Sequence, residues 1–327
     1  MTSRTRWGIL GTGWIADKFA QDLVLTGRPV TAVGSRSQAN ADRFAQRFGI
    51  AHAHASYQAL VDDPGVNIIY IATPHPMHFA NAMMALEAGK HVLIEKPFTL
   101  NAAQAEKVVA FAQAKGLVAL EAMWTRFLPH MLRVREIVAS GKLGRIRSVI
   151  ADHMQDLPAD PAHRLNALEL GGGALLDLGI YPISFAWDIL GSPTSIQATA
   201  DFRETGADCE VATLFKFADG AIALTLSASD SAGPNRATVI GTEGRIEIDP
   251  IWYMPTTFRI LDNKNRVIEE FDTSVEGLGR QYQAEEMERL IRSGATASDV
   301  MSPAESVAIM RTLDTIRSQI GLKYPGE

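Results

Sequence analysis

The sequence predicts an α/β protein of two domains: a doubly wound parallel sheet, followed by an α+β domain built on a large, mostly antiparallel open sheet. From Arg6 to Glu121, short apolar runs alternate with helical segments, the pattern of a parallel sheet. After Glu121, many segments alternate apolar and polar residues, and turns such as Ala218-Asp219-Gly220 join them into hairpins. We therefore place the domain boundary between residues 122 and 123, which gives domains 1–122 and 123–327.

Short apolar runs and amphipathic segments define the elements of the first domain. The predicted strands are Arg6–Leu10, Pro29–Gly34, Val66–Ala72, His91–Glu95 and Leu117–Glu121. The predicted helices are Ile15–Leu25, Asn40–Phe48, Pro74–Ala88 and Ala102–Ala114. Gly89 and Gly116 follow the last two helices at the position where glycine commonly ends a helix.

The second domain is predicted to be richer in strands. A helix over Pro129–Ser140 precedes them, and Leu278–Ser293 and Ala304–Ile320 are closing helices. The predicted strands are Arg145–Gln155, Ser195–Arg203, Glu210–Phe217, Ala221–Ser227, Ala237–Ile240, Arg245–Ile248, Thr257–Leu261 and Val267–Phe271. Consecutive hairpins predict an antiparallel sheet with one face available to a partner.

Composition excludes several classes of protein. The chain has 327 residues, 46% of them hydrophobic and 21% charged, values typical of a soluble globular protein. A net charge of −6 argues against a nucleic-acid-binding surface, which needs a clustered basic face. Cys209 is the only cysteine, so no intrachain disulfide or thiolate metal site is predicted. Met1 to Arg6 leave no room for a signal segment, and we expect no membrane span and a cytoplasmic protein.

A glycine motif joins the first strand to the first helix. Gly11-Thr12-Gly13-Trp14-Ile15-Ala16 fits Gly-x-Gly-x-x-Ala, the turn of a dinucleotide-binding Rossmann unit. The first glycine permits the tight turn, the second has no Cβ to hold a pyrophosphate away, and Ala16 lets helix and strand pack closely. The free N–H groups of the helix then face the phosphates. The predicted cofactor-binding residues here are Gly11, Gly13, Trp14 and Ile15.

The end of the second strand predicts NADP as the cofactor, with NAD as the alternative. NAD-selective folds place an acidic residue there to bind the ribose hydroxyls. This chain has Gly34-Ser35-Arg36-Ser37 and no carboxylate. Arg36 has the chemistry to pair with a 2′-phosphate, with the hydroxyls of Ser35 and Ser37 on either side. Ser37 is also the predicted N-cap of the next helix.

Polar residues follow two later strands at the edge where doubly wound sheets bind ligands. These strands end at Ala72-Thr73-Pro74-His75 and at Glu95-Lys96-Pro97, where we expect a cis Lys-Pro bond. His75 and His78 have helical spacing, but no thiolate is near, and we predict no metal site. The predicted cofactor-binding residues at this edge are Thr73, Pro74, His75, His78, Glu95 and Lys96.

Three motifs together resemble the glucose–fructose oxidoreductase/inositol dehydrogenase (Gfo/Idh/MocA) family across nearly the whole chain. They are the glycine motif, Glu95-Lys96-Pro97, and the run from Gly171-Gly172-Gly173 to Tyr181. Tyr181, where many members have histidine, and Glu121–Phe127 resemble the branch of dimeric dihydrodiol dehydrogenases and NADP-dependent D-xylose dehydrogenases. The resemblance implies a Rossmann domain, a C-terminal domain with an open sheet, and a lysine, aspartate and tyrosine around the nicotinamide.

The residues themselves support the same catalytic group: Lys96, Asp177 and Tyr181. Asp177 and Tyr181 are four apart on a predicted helix that is otherwise apolar, so they share a face. Tyrosine and lysine, with ordinary pKa values of about 10, are poor bases at neutral pH unless a neighbouring charge assists them. We predict Tyr181 as acid/base, Lys96 as the assisting cation and Asp177 as the group that orients either the substrate hydroxyls or Lys96. An exchange of roles between Tyr181 and Lys96 remains open.

Further residues are candidates for binding the substrate. Trp124 and Phe127 follow the sixth strand and suit stacking on a sugar ring or a cyclic diol, although an ordinary core role is the alternative. Arg126 lies between them, and Arg164 precedes the glycine run on a loop. Trp252-Tyr253-Met254 is an apolar trio that suits either a pocket or a dimer contact.

The leading hypothesis is an NADP-dependent oxidoreductase acting on a hydroxyl-bearing carbon of a sugar or cyclic vicinal diol. The alternatives are a carbonyl reductase of a deoxy- or anhydro-sugar, and a non-catalytic NADP sensor. We also expect a homodimer through the C-terminal sheet, because the strands alternate and Phe, Ile and Leu positions such as Ile196, Phe215 and Phe217 are poor surface to leave wet.

Overall fold

The computed structural model describes residues 5–327, so the expectation about a signal segment falls partly outside the described residues. Contacts divide the chain into two compact units: Met1–Trp124 with Val275–Met310, and Thr125–Ser274 with Arg311–Glu327. The boundary between residues 122 and 123 was predicted to separate a cofactor-binding domain from a substrate-binding domain. That division of function stays a prediction.

The first unit contains the predicted doubly wound sheet. Six parallel strands lie in the order β3-β2-β1-β4-β5-β6, which is the strand order of a dinucleotide-binding sheet. The strands are β1 (Trp7–Leu10), β2 (Val30–Gly34), β3 (His52–His54), β4 (Ile68–Ile71), β5 (His91–Glu95) and β6 (Ala119–Ala122). The order reverses between β1 and β4, so ligands are expected at the carboxyl ends of these two strands.

Helices connect these strands. They are α1 (Trp14–Leu25), α2 (Gln38–Phe48), α3 (Tyr57–Val61), α4 (His78–Glu87) and α5 (Ala102–Lys115). Neither β3 nor α3 was predicted from the sequence, because three and five residues are too few to show a period. The predicted helix from Pro74 begins as a 3₁₀ turn, His75–Met77, which α4 continues.

A helix from late in the chain completes the first unit. The carboxylate of Asp22, on α1, accepts the backbone N–H groups of Leu278 at 3.0 Å and Arg280 at 2.9 Å. These bonds satisfy amides at the start of α8 (Gln281–Ser293), which have no partner within the helix. The indole of Trp7 donates to Glu288 at 3.0 Å. Residue 22 therefore anchors a segment more than 250 positions away.

The second unit contains the predicted open sheet, with eight strands in the order β14-β13-β12-β11-β7-β10-β9-β8. Within the described part of this sheet, only the pair β7–β10 is parallel, so the sheet is mostly antiparallel as predicted. The strands are β7 (Ile146–Met154), β8 (Ser195–Phe202), β9 (Asp208–Lys216), β10 (Ile222–Ala228), β11 (Ala237–Gly241), β12 (Gly244–Ile248), β13 (Phe258–Asp262) and β14 (Val267–Phe271).

The two faces of this sheet differ. Helix α7 (Ile180–Leu190) packs on β7 and β10, and Phe215 and Phe217 are buried. These phenylalanines therefore lie on the covered face, because alternation along β9 directs Phe215 inward with Val211 and Thr213. The remaining helices are α6 (Pro129–Ala139) and α9 (Pro303–Ile320), which is shared between the units.

One segment of the described chain, Leu168–Leu190, is long and apolar enough to cross a membrane by length and composition alone. Most of it is buried inside the protein, as a core helix of a water-soluble protein is. The segment is therefore weak evidence for a membrane span.

Candidate active site

The glycine turn of the first unit has the form that a dinucleotide needs. Gly11 has φ +110°, and its N–H donates to Gly34 O at 2.9 Å, which closes the turn onto the neighbouring strand. Gly13 is the extended N-cap of α1, and a Cβ built there would meet nothing within 4 Å. That open space beside free helix N–H groups suits a pyrophosphate. Trp14 is 68% exposed next to it.

The segment predicted to select the cofactor leaves β2. Ser35 is buried, and its hydroxyl accepts the Ser37 N–H at 3.3 Å, while Arg36 is exposed. Ser37 occupies the N-cap position of α2 as predicted, but its side chain makes no capping hydrogen bond. Arg36 thus faces solvent on a turn that the Ser35 hydroxyl stabilises through its hydrogen bond. Contact of Arg36 with a 2′-phosphate stays a prediction.

Three buried side chains hold the backbone around Lys96, whose bond to Pro97 is cis as predicted. His78 contacts the Pro97 carbonyl at 2.8 Å, and Glu121 accepts the Phe98 N–H at 3.0 Å. Glu95 accepts the Lys96 N–H at 3.3 Å. We call His78, Glu95 and Glu121 the lysine clamp. Glu121 had no predicted role, although a carboxylate near the end of a buried strand indicates that it has a polar partner.

Burial shifts the pKa values of two clamp residues, His78 and Glu95. The two ring nitrogens of His78 lie 2.8 Å from the carbonyls of Pro97 and Thr73. Burial lowers the pKa of His78, while these two carbonyl contacts oppose that change. Burial raises the pKa of Glu95, while a hydrogen bond from the Tyr70 hydroxyl opposes that rise. Direct contacts of His78 and Glu95 with a cofactor stay predictions, since both already have structural partners.

Two other predicted residues of this edge, Thr73 and His75, are also buried. Thr73 accepts a hydrogen bond from Asn81 Nδ2 at 3.0 Å, and the ring of His75 meets that of His78 edge-on at 5.7 Å. Pro74 is the N-cap of the 3₁₀ turn. Trp124 is buried under the guanidinium of Arg280, which lies 4.4 Å from its ring centroid. Arg280 received no role from the sequence because α8 is remote in the chain.

In the second unit, the structure brings two predicted residues together. The guanidinium of Arg164 reaches both carboxylate oxygens of Asp177 at 3.3 Å, a bidentate pair with the arginine half exposed and the aspartate buried. Such a bidentate pair fixes the orientation of the carboxylate. The ion pair thus joins the loop that carries Arg164 to the Asp177 side chain. Such a contact is expected of a loop residue that closes over a pocket.

The helix carrying Asp177 differs from the sequence prediction. Leu175–Gly179 is a π-helical turn, and the α-helix begins only at Ile180, just before Tyr181. Pro182 has no N–H to give to the Leu178 carbonyl, so regular α-helical bonding cannot continue back through this turn. π turns inside helices often occur at functional sites.

The glycine run before this turn is fixed by a buried carboxylate. Asp208 accepts the Leu175 N–H at 2.6 Å, and burial raises the pKa of Asp208 to about 6. Gly173 has φ +134°, and a Cβ there would lie 2.0 Å from Asp208 Oδ1. Only glycine satisfies both constraints. The hydroxyl of Tyr324 adds a bond to the Gly172 carbonyl at 3.1 Å.

Tyr181 lies in an aromatic cluster that the sequence analysis did not find. His153 stacks on Tyr253 at 3.7 Å and meets the Tyr181 ring edge-on at 4.9 Å. Gln155 donates to the Tyr253 hydroxyl at 3.3 Å. Burial, with a smaller contribution from Tyr181, raises the pKa of Tyr253 well above its usual value, so Tyr253 stays protonated. Along β7, His153 is buried on the same face as Val149 and Ala151, but no local pattern in the sequence links it to Tyr181.

The structure surrounds Arg126 and Phe127 with protein. Arg126 is buried, donates to Ser184 Oγ at 3.0 Å and pairs with Asp188 at 3.0 Å, both on α7. Phe127 is also buried. These contacts describe a structural role for Arg126 that fixes α7 against the segment before α6. Contact of either residue with a substrate stays a prediction.

Comparison with known proteins identifies the class. Residues 5–122 match the model of an oxidoreductase family with an NAD-binding Rossmann fold, and residues 131–247 match the GFO/IDH/MocA C-terminal domain. The chain belongs to the GFO/IDH/MocA oxidoreductase family, as its motifs predicted.

Particular relatives span the whole chain. It is 36% identical to trans-1,2-dihydrobenzene-1,2-diol dehydrogenase of Mus musculus over 98% of both chains. It is 34% identical to D-xylose 1-dehydrogenase (NADP(+)) of Hypocrea jecorina over 98% of this chain and 93% of that one. A 3-ketoreductase from Actinomadura kijaniata, solved with NADP and TDP-benzene, is 27% identical with a TM-score of 0.85, covering 97% of this chain and 98% of that one.

Proposed function

We propose that this protein is an NADP-dependent oxidoreductase that acts on a hydroxyl-bearing carbon of a sugar or a cyclic vicinal diol. The observation that carries the proposal is a set of polar side chains in the second unit. Asp177 pairs with Arg164, and Tyr181, which follows Asp177 closely in the chain, lies in its aromatic cluster. The glycine turn of a nicotinamide-binding domain precedes it in the same chain. Relatives named as diol and xylose dehydrogenases support the substrate class.

The first unit fits the cofactor on its own geometry. Gly13 leaves room where a Cβ would stand, the α1 N-terminus offers N–H groups, and Arg36 is exposed for a phosphate. We propose that Gly11, Gly13, Trp14 and Ile15 hold the pyrophosphate side and that the Arg36 guanidinium binds the 2′-phosphate. When bound, the nicotinamide exchanges a hydride with the substrate carbon.

The protein's own task is then to move one proton and to orient the substrate. We propose that the Tyr181 Oη takes the proton of the reacting hydroxyl in oxidation and returns it in reduction. Lys96 supplies the positive charge that favours a phenolate, and the Asp177 carboxylate accepts a hydrogen bond from a second substrate hydroxyl. A vicinal diol or sugar offers that second hydroxyl. The alternative, with Lys96 carrying the proton, uses the same residues.

A substrate panel tests this function. Purified protein is mixed with NADP⁺ and trans-dihydrodiols, D-xylose or other sugars, and with NADPH and keto-sugars for the reverse reaction. We expect a change in the near-ultraviolet absorbance of NADPH with at least one diol or sugar, and a weaker response with NAD⁺. Tight binding of NADPH with no turnover of any panel member would instead support the non-catalytic sensor.

We further propose that two copies pair through the open face of the C-terminal sheet. Ile150 and Leu224, direct neighbours on β7 and β10, are 44% and 46% exposed, and Ile222 is 39% exposed. An open cavity of about 680 Å³ lies over the same strands. Adjoining exposed apolar residues on a broad sheet face are typical of an isologous interface.

Leu224→Glu is expected to convert the dimer into a monomer, because two copies of the new carboxylate would be buried at the interface. Light scattering at micromolar concentration should give twice the 35.5 kDa chain mass for the parent protein and the single mass for the variant. Leu25→Glu, at an exposed leucine on α1, is the matched control and should remain dimeric. A parent protein of one chain mass would rule out the dimer.

A further inference from the structure

We propose that His52, His54 and Asp63 form a site for a divalent transition-metal ion, for which Zn²⁺ is the best match. His52 Nδ1 lies 2.6 Å and His54 Nε2 lies 2.9 Å from the same oxygen, Asp63 Oδ2. All three potential ligand atoms lie within 4.8 Å of one another. The site is separate from the lysine clamp and from the glycine turn, and it departs from the absence of metal predicted from the sequence.

The fold presents these ligands from two neighbouring segments. His52 and His54 are alternate residues of β3, so their side chains leave the same face of the strand. Asp63 follows α3 and is buried, while the two imidazoles are 49% and 24% exposed. A buried carboxylate with two accessible imidazoles beside it lets an ion enter from solvent and meet an anchored ligand.

Neighbouring groups fix the carboxylate for this purpose. The Gly65 N–H donates to Asp63 Oδ1 at 2.7 Å, which leaves Oδ2 directed at the imidazoles. Lys90 Nζ donates to the backbone carbonyls of Asp63 at 2.9 Å and Val66 at 2.7 Å, so the main chain is also held. Hydrogen bonds of this kind to a ligating carboxylate are a regular part of metal sites.

The donor set selects the kind of ion. Imidazole nitrogen suits zinc, copper and nickel, whereas calcium and magnesium prefer sites made of oxygen alone. Zinc binds nitrogen at about 2.0–2.1 Å, and tetrahedral geometry then places ligand atoms roughly 3.3 Å apart. Each imidazole must retreat from Asp63 by less than about 1 Å, which rotation of exposed side chains allows. Water would complete the coordination, as in three-ligand zinc sites.

Metal binding and hydrogen bonding compete for the same atoms. In the metal-free cluster, each neutral imidazole can donate one N–H to the carboxylate. An ion needs lone pairs on His52 Nδ1 and His54 Nε2, so in each neutral ring the proton moves to the other ring nitrogen.

The site lies beside the segment predicted to select the cofactor. β3 pairs with β2 so that His54 is opposite Gly34, and the Ser35 N–H donates to the His54 carbonyl at 3.1 Å. An ion held by β3 and Asp63 would fix this short edge strand at both ends. We infer a structural site that stiffens the edge next to Ser35 and Arg36, whatever reaction the protein catalyses.

The test is metal titration of chelator-treated full-length protein, with Zn²⁺ followed by calorimetry and Co²⁺ by visible absorption. We expect a single equivalent at micromolar affinity or better, an intense tetrahedral Co²⁺ spectrum, and a rise in melting temperature on Zn²⁺ addition. His52→Gln and His54→Gln should each weaken binding by about tenfold or more. His163→Gln, in the second unit, is the matched control and should bind as the parent does.

Asp63→Asn should also abolish the Co²⁺ spectrum, but this residue is buried, so circular dichroism must first show that the variant folds. The half-exposed His52 provides the test that does not depend on this check. Absence of binding below millimolar Zn²⁺, or affinity unchanged in both histidine variants, would overturn the proposal. Neither result depends on the oxidoreductase activity, so the two proposals fail separately.

Discussion

Tyr181→Phe is expected to lower turnover by about 10²–10⁴-fold while leaving NADPH affinity unchanged, since a positioned acid/base group typically contributes that much. The substitution removes one oxygen and keeps the ring that meets His153 edge-on. Packing of α7 should therefore survive, and the loss should fall on kcat. The measurements are steady-state turnover with the best substrate of the panel and fluorescence titration with NADPH.

Tyr253→Phe is the matched control for this experiment. It removes the same oxygen from the neighbouring ring, 5.7 Å away between centroids, and loses only the hydrogen bond from Gln155. Its effect should be far smaller. Lys96→Met should lose activity as well, because the phenolate would lack its cation. A Tyr181→Phe enzyme within a few-fold of the parent would assign the proton to Lys96.

Arg36→Ala is expected to weaken NADPH by about ten- to a hundredfold and NADH much less, because only NADPH carries the 2′-phosphate. A hydrogen bond to a charged group is worth roughly 1.5–3 kcal/mol, which corresponds to that range. Arg36 is exposed and outside any helix or strand, so its removal should leave the fold intact. Fluorescence titration with both dinucleotides measures the difference.

Arg43→Ala provides the control for net charge, since Arg43 is an exposed arginine on the following helix α2. It should change the two affinities slightly and equally, as a general loss of positive field does. If Arg36→Ala also affects NADPH and NADH equally, the 2′-phosphate has another partner and the basis for cofactor choice must be sought elsewhere.

Local patterns in the sequence predicted most of the fold. Strands such as β5 and β14 were located to the residue, because apolar runs and turn residues are local signals. The same signals failed for β3 and α3, which are too short, and they did not show which face of the sheet carries Phe215. Alternation shows that two faces exist, but which one is covered depends on α7, distant in the chain.

The residues of the candidate site that could be predicted are those that belong to a local sequence motif. The glycine turn, Lys96-Pro97 and the Asp177–Tyr181 helix all have local motifs. The partners of these residues do not. Asp208 holds the Leu175 N–H from 33 positions away, and Tyr253 reaches the Tyr181 cluster from 72 positions away (253 − 181). Such pairs are set by tertiary packing, for which one sequence carries no local signal.

The lysine clamp has a consequence for how binding free energy is used. His78, Glu95 and Glu121 fix the carbonyl and N–H groups around Lys96 through contacts that lie within the protein itself. Ordering one residue's backbone costs roughly 1–2 kcal/mol, and these contacts make that cost part of folding. The segment around Lys96 is therefore preorganised, and ligand binding does not have to meet the entropy cost of ordering it. Laboratory evolution toward new substrates should therefore retain these three residues and vary the side chains around Tyr181.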